Sequence, residues 1–142
     1  MKQSGFTLLE VLVAILVLSI GLLGLAGLMA SNIRNTHSAY QRTQAVWLAY
    51  DMIDRMRVNR VNAISGANNY NIAIGTATSG SSGLAGTDVD SWKATLASAL
   101  PAGDGSVNVD STSRAVTVII QWNDARGTGG SNAQQIQVDT QL

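Results

Sequence analysis

The sequence predicts an α+β protein in which one long N-terminal helix packs on a small antiparallel sheet of about three strands with one short extra helix. Three observations support this fold class. The chain opens with an apolar run over residues 6–30, residues 31–60 carry apolar side chains at helical spacing, and the C-terminal part alternates apolar and polar side chains with the period of a strand.

The apolar run is long enough to span a membrane as a helix. Residues 6–30 contain one charged side chain, Glu10, among residues that are mostly Leu, Val, Ile, Ala and Gly. At ~1.5 Å per residue the run measures about 37 Å, against a hydrocarbon thickness of ~30 Å. A plain membrane anchor would have no use for Glu10, because an ionised carboxylate toward the bilayer interior costs at least ~2.5 kcal/mol unless it is paired or reaches the interface.

A cleaved secretory signal is the other simple interpretation. The small residues of Ala26-Gly27-Leu28-Met29-Ala30 loosely offer a cleavage site. The basic region before the run is only Lys2, however, and Glu10 stands at the start of the apolar segment, where an ordinary signal places no charge. Both features disfavour a secretory signal.

The start of the chain resembles the type III signal of type IV pilins and the related pseudopilins. That pattern is a short basic leader ending in Gly, then an aromatic residue, Thr, Leu, an apolar residue and Glu; its positions are filled here by Lys2, Gly5, Phe6, Thr7, Leu8, Leu9 and Glu10. The resemblance implies that a membrane aspartyl prepilin peptidase cuts between Gly5 and Phe6 and methylates the new amine of Phe6. It also implies that the apolar helix stays on the protein as the packing core of a filament.

Glu10 has a physical role in such a filament. A helix that leaves the bilayer can join its neighbours through one buried opposite charge, and the freed ammonium of Phe6 on an adjacent subunit is the available partner. Thr7, Leu8 and Leu9 are expected to serve assembly with it.

The predicted organisation follows from these segments. Residues 1–5 are the leader, with Lys2 as the positive-inside signal; residues 6–30 are the membrane-spanning and filament-core half of the helix; residues 31–60 are its amphipathic half. The head is 61–142, with a loop over 65–86, a short helix over 87–100 and the antiparallel sheet within 107–142.

The long helix is predicted to continue to about Asn59, because no breaker follows Ser31 until past Asn62. Its apolar face is formed by Ala45, Leu48, Ala49, Met52 and Met56. Asp51 with Arg55 and Asp54 with Arg57 are spaced as ion pairs on a solvated face, each worth ~0.2 to 0.5 kcal/mol. The glycines at 21, 24 and 27 are either ordinary membrane-helix residues or the place where the helix unwinds in a filament.

A second resemblance covers the end of this helix. The stretch from Leu48 to Asn59, closing on Arg57-Val58-Asn59, is similar to minor pilins of the kind called type IV pilus modification protein PilV. The heads of that kind also show Trp-x-x-x-Leu followed by Leu-Pro-x-Gly-x-Gly, which Trp92, Leu96 and the stretch 100–105 match.

The head begins with a Gly, Ser and Ala-rich stretch, which predicts a surface loop because such a composition buries little apolar area. Thr87 is the predicted N-cap of the short helix, with Asp90 three residues on. The buried face of that helix is expected to carry Trp92, Leu96 and Leu100, and Pro101 ends it. The face should lie on the long helix or on the sheet.

The last part of the chain predicts a three-stranded meander. The strands are Val107 to Val109, Ala115 to Trp122 and Gln134 to Leu142, and the middle one places Val116, Val118, Ile120 and Trp122 on one face. The last strand has polar residues outward and is a predicted edge open to a neighbouring subunit.

Composition bounds the function further. The formal net charge is zero, which gives no chain-wide basic field for nucleic acid, and there is no cysteine to staple the head. His37 is the one histidine and is expected to be solvated, so zinc, thiol and catalytic histidine chemistry are disfavoured. No cofactor or enzymatic activity is predicted. Asp104, Asn108 and Asp110 are interpreted as turn formers, with calcium binding left open.

The predicted function is that of a minor pilin of a type IV pilus that contributes to initiation of assembly, with adhesion or motility through the head. Its expected partners are prepilin peptidase, other minor pilins, the major pilin and the bacterial inner membrane, with the head in the periplasm before assembly and the pilus surface as the final location. The alternatives are a minor pseudopilin of a type II secretion system and a non-polymerising membrane-anchored binding domain.

Overall fold

A computed structural model describes residues 5–67, 69–77, 79–80 and 82–142. Residues 1–4 of the predicted leader, with Lys2, lie outside the described residues. The elements are α1 (Leu8–Val58), α2 (Arg60–Ala63), α3 (Gly83–Ala99), β1 (Asp104–Val109), β2 (Ala115–Trp122) and β3 (Gln134–Gln141). A long apolar helix packed on a three-stranded antiparallel sheet with a shorter helix confirms the predicted fold class.

The helix α1 is continuous over 51 residues. It runs through Gly21, Gly24 and Gly27 without a break and ends with Asn59 as its C-cap, as the sequence predicts. By length and composition it is the one helix among the described residues that could cross a membrane. Its apolar N-terminal half is exposed along its whole length, so this half of the helix packs against no other part of the described chain.

The second half of α1 packs on the head. The predicted apolar face is confirmed, since Ala45, Leu48, Ala49, Met52 and Met56 are all buried, together with Ile53. The two predicted ion pairs form on the same helix, Asp51–Arg55 at 3.0 Å and Asp54–Arg57 at 2.9 Å. Arg55 also reaches Asp88 of α3 at 3.7 Å, so this part of the face predicted to be solvated makes a contact between elements.

The sheet has the predicted order β1-β2-β3, with both pairs antiparallel. Its inner face is the predicted one: Val116, Val118, Ile120 and Trp122 are fully buried. The strand β1 begins at Asp104, three residues before the predicted start, and a bridge between Val107 and Ile72 covers its outer side. The strand β3 pairs only with β2 in the described part of the chain, so its other edge is open.

The predicted start of α3 at Thr87 is wrong. The helix begins at Gly83, after Ser82 in an extended conformation, and Thr87 lies inside it with its hydroxyl donating to the Gly83 carbonyl at 3.1 Å. The cause is tertiary, because Ala85 is buried and adds one turn to the face that carries Val89 and Trp92. Gly83 has φ +73°, a backbone conformation that favours glycine at this entry.

The predicted loop over residues 65–86 is correspondingly shorter, and part of it joins the core. Tyr70 is fully buried and Ile72 is 7% exposed. The Tyr70 hydroxyl donates to Asp88 at 2.8 Å and accepts from Asn59 at 3.0 Å. Tyr70 therefore ties the loop to the end of α1 and to α3, and Ile72 ties it to β1 through its bridge with Val107.

Candidate functional site on the exposed half of the long helix

The N-terminal turn of α1 is built by Thr7 and Glu10. Thr7 is the N-cap, in extended conformation, and its Oγ1 accepts a hydrogen bond from the Glu10 backbone N–H at 3.3 Å. The pattern Thr-x-x-Glu is that of a capping box, and a negative charge in the first turn interacts favourably with the helix dipole. Thr7, which the sequence predicts to serve assembly, therefore also begins the helix.

The side chain of Glu10 lies at the edge of an apolar groove along one face of α1. The groove is lined by Phe6, Glu10, Val11, Ala14, Ile15 and Leu18. Among the described residues, no hydrogen bond or ion pair reaches the Glu10 carboxylate. The described part of the chain therefore presents one ionisable acceptor on an otherwise apolar rod and supplies no cation for it.

The remaining predicted assembly residues lie on the same exposed turn. Phe6 is 85% exposed, Leu8 82% and Leu9 72%. Gly5 and Phe6 precede the helix, and a side chain at Gly5 would meet nothing within 4 Å. The structure thus places the residues from Gly5 to Glu10 together at one accessible end of the molecule.

The apolar half of α1 beyond Glu10 is also exposed to solvent. From Val11 to Met29 every large apolar side chain is at least 48% exposed. Full burial of one such side chain contributes ~1.5 to 3 kcal/mol, so a rod of this length requires lipid or other apolar helices around it. The three glycines at 21, 24 and 27 leave open space where a neighbouring backbone can approach closely.

Asp104 and Asp110, which were considered as calcium ligands, lie too far apart to bind one ion. Asp104 and Asp110 bracket the two ends of β1, ~20 Å apart at ~3.3 Å per residue. Asp104 pairs with Lys93 and accepts backbone N–H groups from Gly75 and Gly105. Burial opposes its ionisation, but these donors outweigh burial and lower the pKa of Asp104.

Among the described residues Asp110 bonds only within its own turn, and Asn108 is exposed. Asp110 accepts from the Ser113 hydroxyl at 2.6 Å and from the Thr112 N–H at 2.8 Å, which lowers its pKa and closes the β1–β2 turn. The described residues hold no group of three or more His, Cys, Asp or Glu side chains placed for a metal ion.

A cleft between α1 and the β2–β3 loop escaped the sequence analysis. His37, expected to be solvated, lines it beside Ser38, Asp124 and Arg126. The Ser38 hydroxyl donates directly to Asp124 at 2.5 Å, which is not the relay of a hydrolase triad, where a histidine stands between serine and acid. The two residues are 86 positions apart, so no local signal could have found the cleft.

Comparison with known protein families gives two adjoining matches. Residues 1–26 match the prokaryotic N-terminal methylation motif, and residues 27–84 match the family described as type IV pilin Tt1218. No significant match is found among curated proteins or among solved structures. Type IV pilins are structural rather than enzymatic proteins, which are in general processed by prepilin peptidase and assemble with other pilins. The motif around Glu10, the exposed apolar rod and both family matches agree, and the chain belongs to the type IV pilin superfamily.

Proposed function

We propose that this chain is a minor subunit of a type IV pilus, made as a precursor in the bacterial inner membrane and incorporated into the fibre after processing. The observation that carries the proposal is the single carboxylate of Glu10 on an exposed apolar helix, with no partner among the described residues. A monomeric anchor gains nothing from such a group, whereas a helix bundle can use it to fix the position of each new subunit.

Processing is proposed between Gly5 and Phe6. Both residues are exposed and lie outside the helix, which leaves their peptide bond accessible to a protease. The cut frees an amine on Phe6, and this amine is the proposed cation for Glu10 of a neighbouring subunit. Loss of one partner from a buried pair of this kind costs ~3 to 5 kcal/mol, enough to block insertion of the subunit.

The minor role and the similarity to PilV are supported by the sequence at two places. The Arg57-Val58-Asn59 ending has a structural use, since the Asn59 side chain donates a hydrogen bond to the Tyr70 hydroxyl and so joins the end of α1 to the loop that precedes α3. The Leu-Pro-x-Gly-x-Gly stretch also has one, since a Cβ at Gly105 would stand 2.5 Å from the ring of Trp92. We propose that the head contacts other minor pilins and the major pilin to start polymerisation, and that its outer surface serves adhesion.

The test is a deletion strain complemented with the wild type, with Glu10→Gln or with Asp54→Asn. Asp54 is a matched control because it is an exposed carboxylate on the same helix, outside the apolar half. Surface fibres, exoprotein release, incorporation of the protein into sheared fibres and the N-terminal residue of the mature chain are measured. We expect a mature chain that begins at methylated Phe6, incorporation of the wild type and the control, and loss of incorporation in Glu10→Gln.

Three results would count against the proposal. A mature chain that still begins at Met1 would contradict processing. Normal incorporation of Glu10→Gln would contradict the charge pair. Loss of exoprotein release with intact surface fibres would assign the chain to a type II secretion system as a minor pseudopilin.

A further inference from the structure

One row of side chains on α1 stays uncharged and exposed well beyond the apolar run. Its members follow one another at steps of three or four residues, which places them side by side along one side of the helix. This row, named here the stem seam, consists of Ile33, Thr36, Tyr40, Thr43, Trp47 and Tyr50. All six are exposed, Trp47 by 67%, and the next position of the row, Asp54, ends it with a charge.

The stem seam continues a row that begins beside Glu10. Toward the N-terminus the same steps lead through exposed side chains of the apolar half, namely Val11, Ile15, Leu18, Leu22, Leu25 and Met29. The helix has no break between the two parts. A repeat of three- and four-residue steps is that of a coiled-coil contact, in which a second helix packs nearly parallel to the first. The whole row therefore has the form of one helix-packing surface.

The head of the same chain lies on the other side of α1. The buried face of the helix includes Ala45, Ala49, Met52 and Met56. At ~100° per residue, Trp47 lies ~140 to 180° around the helix from each of them. The stem seam and the described head are thus on opposite sides of α1, so a cover for the seam comes from another molecule.

Lipid reaches only the first part of the stem seam. From the end of the apolar run at Ala30, Tyr40 lies ~15 Å and Trp47 ~25 Å further along the helix axis. The polar headgroup layer of a bilayer is ~5 to 8 Å deep on each side. The three aromatic rings therefore stand beyond the membrane, where the apolar surface that can bury them belongs to a protein. Aromatic side chains are enriched at such interfaces.

The two polar members of the stem seam are suited to burial. The hydroxyl of Thr36 donates to the backbone carbonyl four residues earlier at 2.9 Å, and that of Thr43 does the same at 3.1 Å. A hydroxyl bonded in this way needs no water when an apolar neighbour covers it. The charged residues of the same stretch, Arg34 and Arg42, lie outside the row. The stem seam is therefore compatible with an apolar helix packed against it.

We propose that the stem seam is the docking surface for the apolar half of α1 from another pilin subunit, one that lies nearer the tip of the fibre. The inference rests on the proposed function. The apolar half of each subunit leaves lipid on assembly and needs an apolar surface in its place. Its glycines leave open space in which a ring as large as that of Trp47 fits.

The position nearer the tip follows from the direction of the helices. All subunits enter the membrane in the same direction, so their helices are parallel in the fibre and their head ends point toward the tip. A second helix brings its Gly24 level with Trp47 only if it is shifted toward the head end by ~35 Å, at ~1.5 Å per residue. A subunit with a covered stem seam therefore has another pilin ahead of it, and this chain is not the outermost subunit.

The experiment complements the deletion strain with full chains that carry the photo-reactive residue p-benzoylphenylalanine in place of Trp47, of Tyr40 or, as a control, of Arg42. Arg42 is exposed on the same helix and lies ~140° around it from Trp47. Sheared fibres that contain the protein are irradiated, and the crosslinked peptides are mapped by mass spectrometry. We expect both seam positions to crosslink to the apolar N-terminal half of another pilin, and the control position to form no such crosslink.

Incorporation into fibres gives a second readout. Trp47→Glu places a carboxylate against an apolar helix, so the amount of protein in sheared fibres should fall at least about tenfold. Trp47→Phe and Arg42→Glu should be incorporated like the wild type. Because Trp47 is exposed, Trp47→Glu should keep the fold and the amount of protein in the membrane, which circular dichroism in detergent and immunoblots of the membrane fraction check.

Several results would overturn the inference. Crosslinks from position 47 to the head of another subunit, or to the stem of another subunit at the same level, would contradict the shifted packing. Lipid adducts, or no crosslink from either seam position in fibres that contain the protein, would contradict a helix on the seam. Equal incorporation of Trp47→Glu and Arg42→Glu would do the same. Absence of the wild type from the fibres would instead count against the proposed function.

Discussion

The indole Nε1 of Trp92 donates a hydrogen bond of 2.8 Å to the backbone carbonyl of Leu48, in the C-terminal half of the long helix. Trp92 is fully buried, and the bond joins α3 to α1 at the centre of the head's core. A buried indole N–H without an acceptor is unfavourable, and that of Trp92 pairs with a helical carbonyl. The short helix is thereby fixed on the stem both by apolar burial and by one directed polar contact.

The first prediction concerns this contact. Trp92→Phe keeps an aromatic ring but loses the donor and part of the ring volume, so the free energy of unfolding should fall by about 2 to 4 kcal/mol. The measurement is urea unfolding of the full chain in detergent, followed by circular dichroism. Trp47→Phe is the matched control, because Trp47 is 67% exposed on the same stem, and it should change the value by less than about 0.5 kcal/mol. Equal effects of the two substitutions would contradict the prediction.

The second prediction concerns Gly105 in β1. A Cβ at this position would stand 2.5 Å from the Trp92 ring and 2.9 Å from the Ile119 carbonyl. Gly105→Ala should therefore destabilise the head by about 1 to 3 kcal/mol, through overpacking. Gly66→Ala is the control, because a Cβ there meets nothing within 4 Å. Thermal unfolding of both variants checks it, and a Gly105→Ala protein as stable as Gly66→Ala would refute the close approach.

The third prediction is acid sensitivity at Asp104. Hydrogen bonds from Lys93, Gly75 and Gly105 outweigh burial and lower the pKa of this carboxyl in the folded state. A lowered folded pKa stabilises the protein above the unfolded carboxyl pKa of about 3.9, and this stabilisation is lost as the pH falls further, through the folded pKa. Asp104→Asn should be less stable than the wild type at neutral pH, and the difference should shrink below pH ~4.

The measurement is the urea midpoint of the wild type and of Asp104→Asn across this acid range. Lys93→Met provides a second comparison, because it removes the main donor and should also flatten the acid dependence. Asp110 and Asp139 have lowered pKa values as well, so Asp104→Asn should reduce the acid dependence of the wild type without abolishing it. Parallel curves for the wild type and Asp104→Asn would show that Asp104 contributes nothing.

The fourth prediction is alkaline sensitivity at Tyr70. Burial of its phenol, with the Asp88 carboxylate beside it, raises the pKa of Tyr70 to about 12. Because the raised folded pKa favours the neutral phenol, its stabilisation is complete below the unfolded pKa of about 10 and is lost as the pH rises from there to about 12. Tyr70→Phe should lack this loss.

Ultraviolet titration of phenolate checks the assignment. The chain has three tyrosines, and Tyr40 and Tyr50 are exposed. The high-pH step near 12 should be present in Tyr40→Phe and Tyr50→Phe and absent in Tyr70→Phe. A titration in which Tyr70→Phe keeps that step would contradict the buried phenol.

The sequence by itself determined the apolar rod, the amphipathic stem and the strand β2. In each case one face of a regular element is buried, so the period of the side chains carries the information, as it does for Ala45 to Met56 and for Val116 to Trp122. The residues from Gly5 to Glu10 are contiguous, so their joint position at one end of the rod also follows from the sequence.

Only the tertiary structure decided where α3 begins, that Tyr70 enters the core, and that Ser38 meets Asp124. The physical reason is that these features depend on contacts between residues far apart in the chain. Burial of Ala85 against the core outweighs the local capping signal at Thr87. The cleft exists because the loop after β2 returns to α1, where Asp124 meets Ser38 across 86 positions of the chain. A local pattern specifies which face is apolar, and only the packed fold specifies what that face meets.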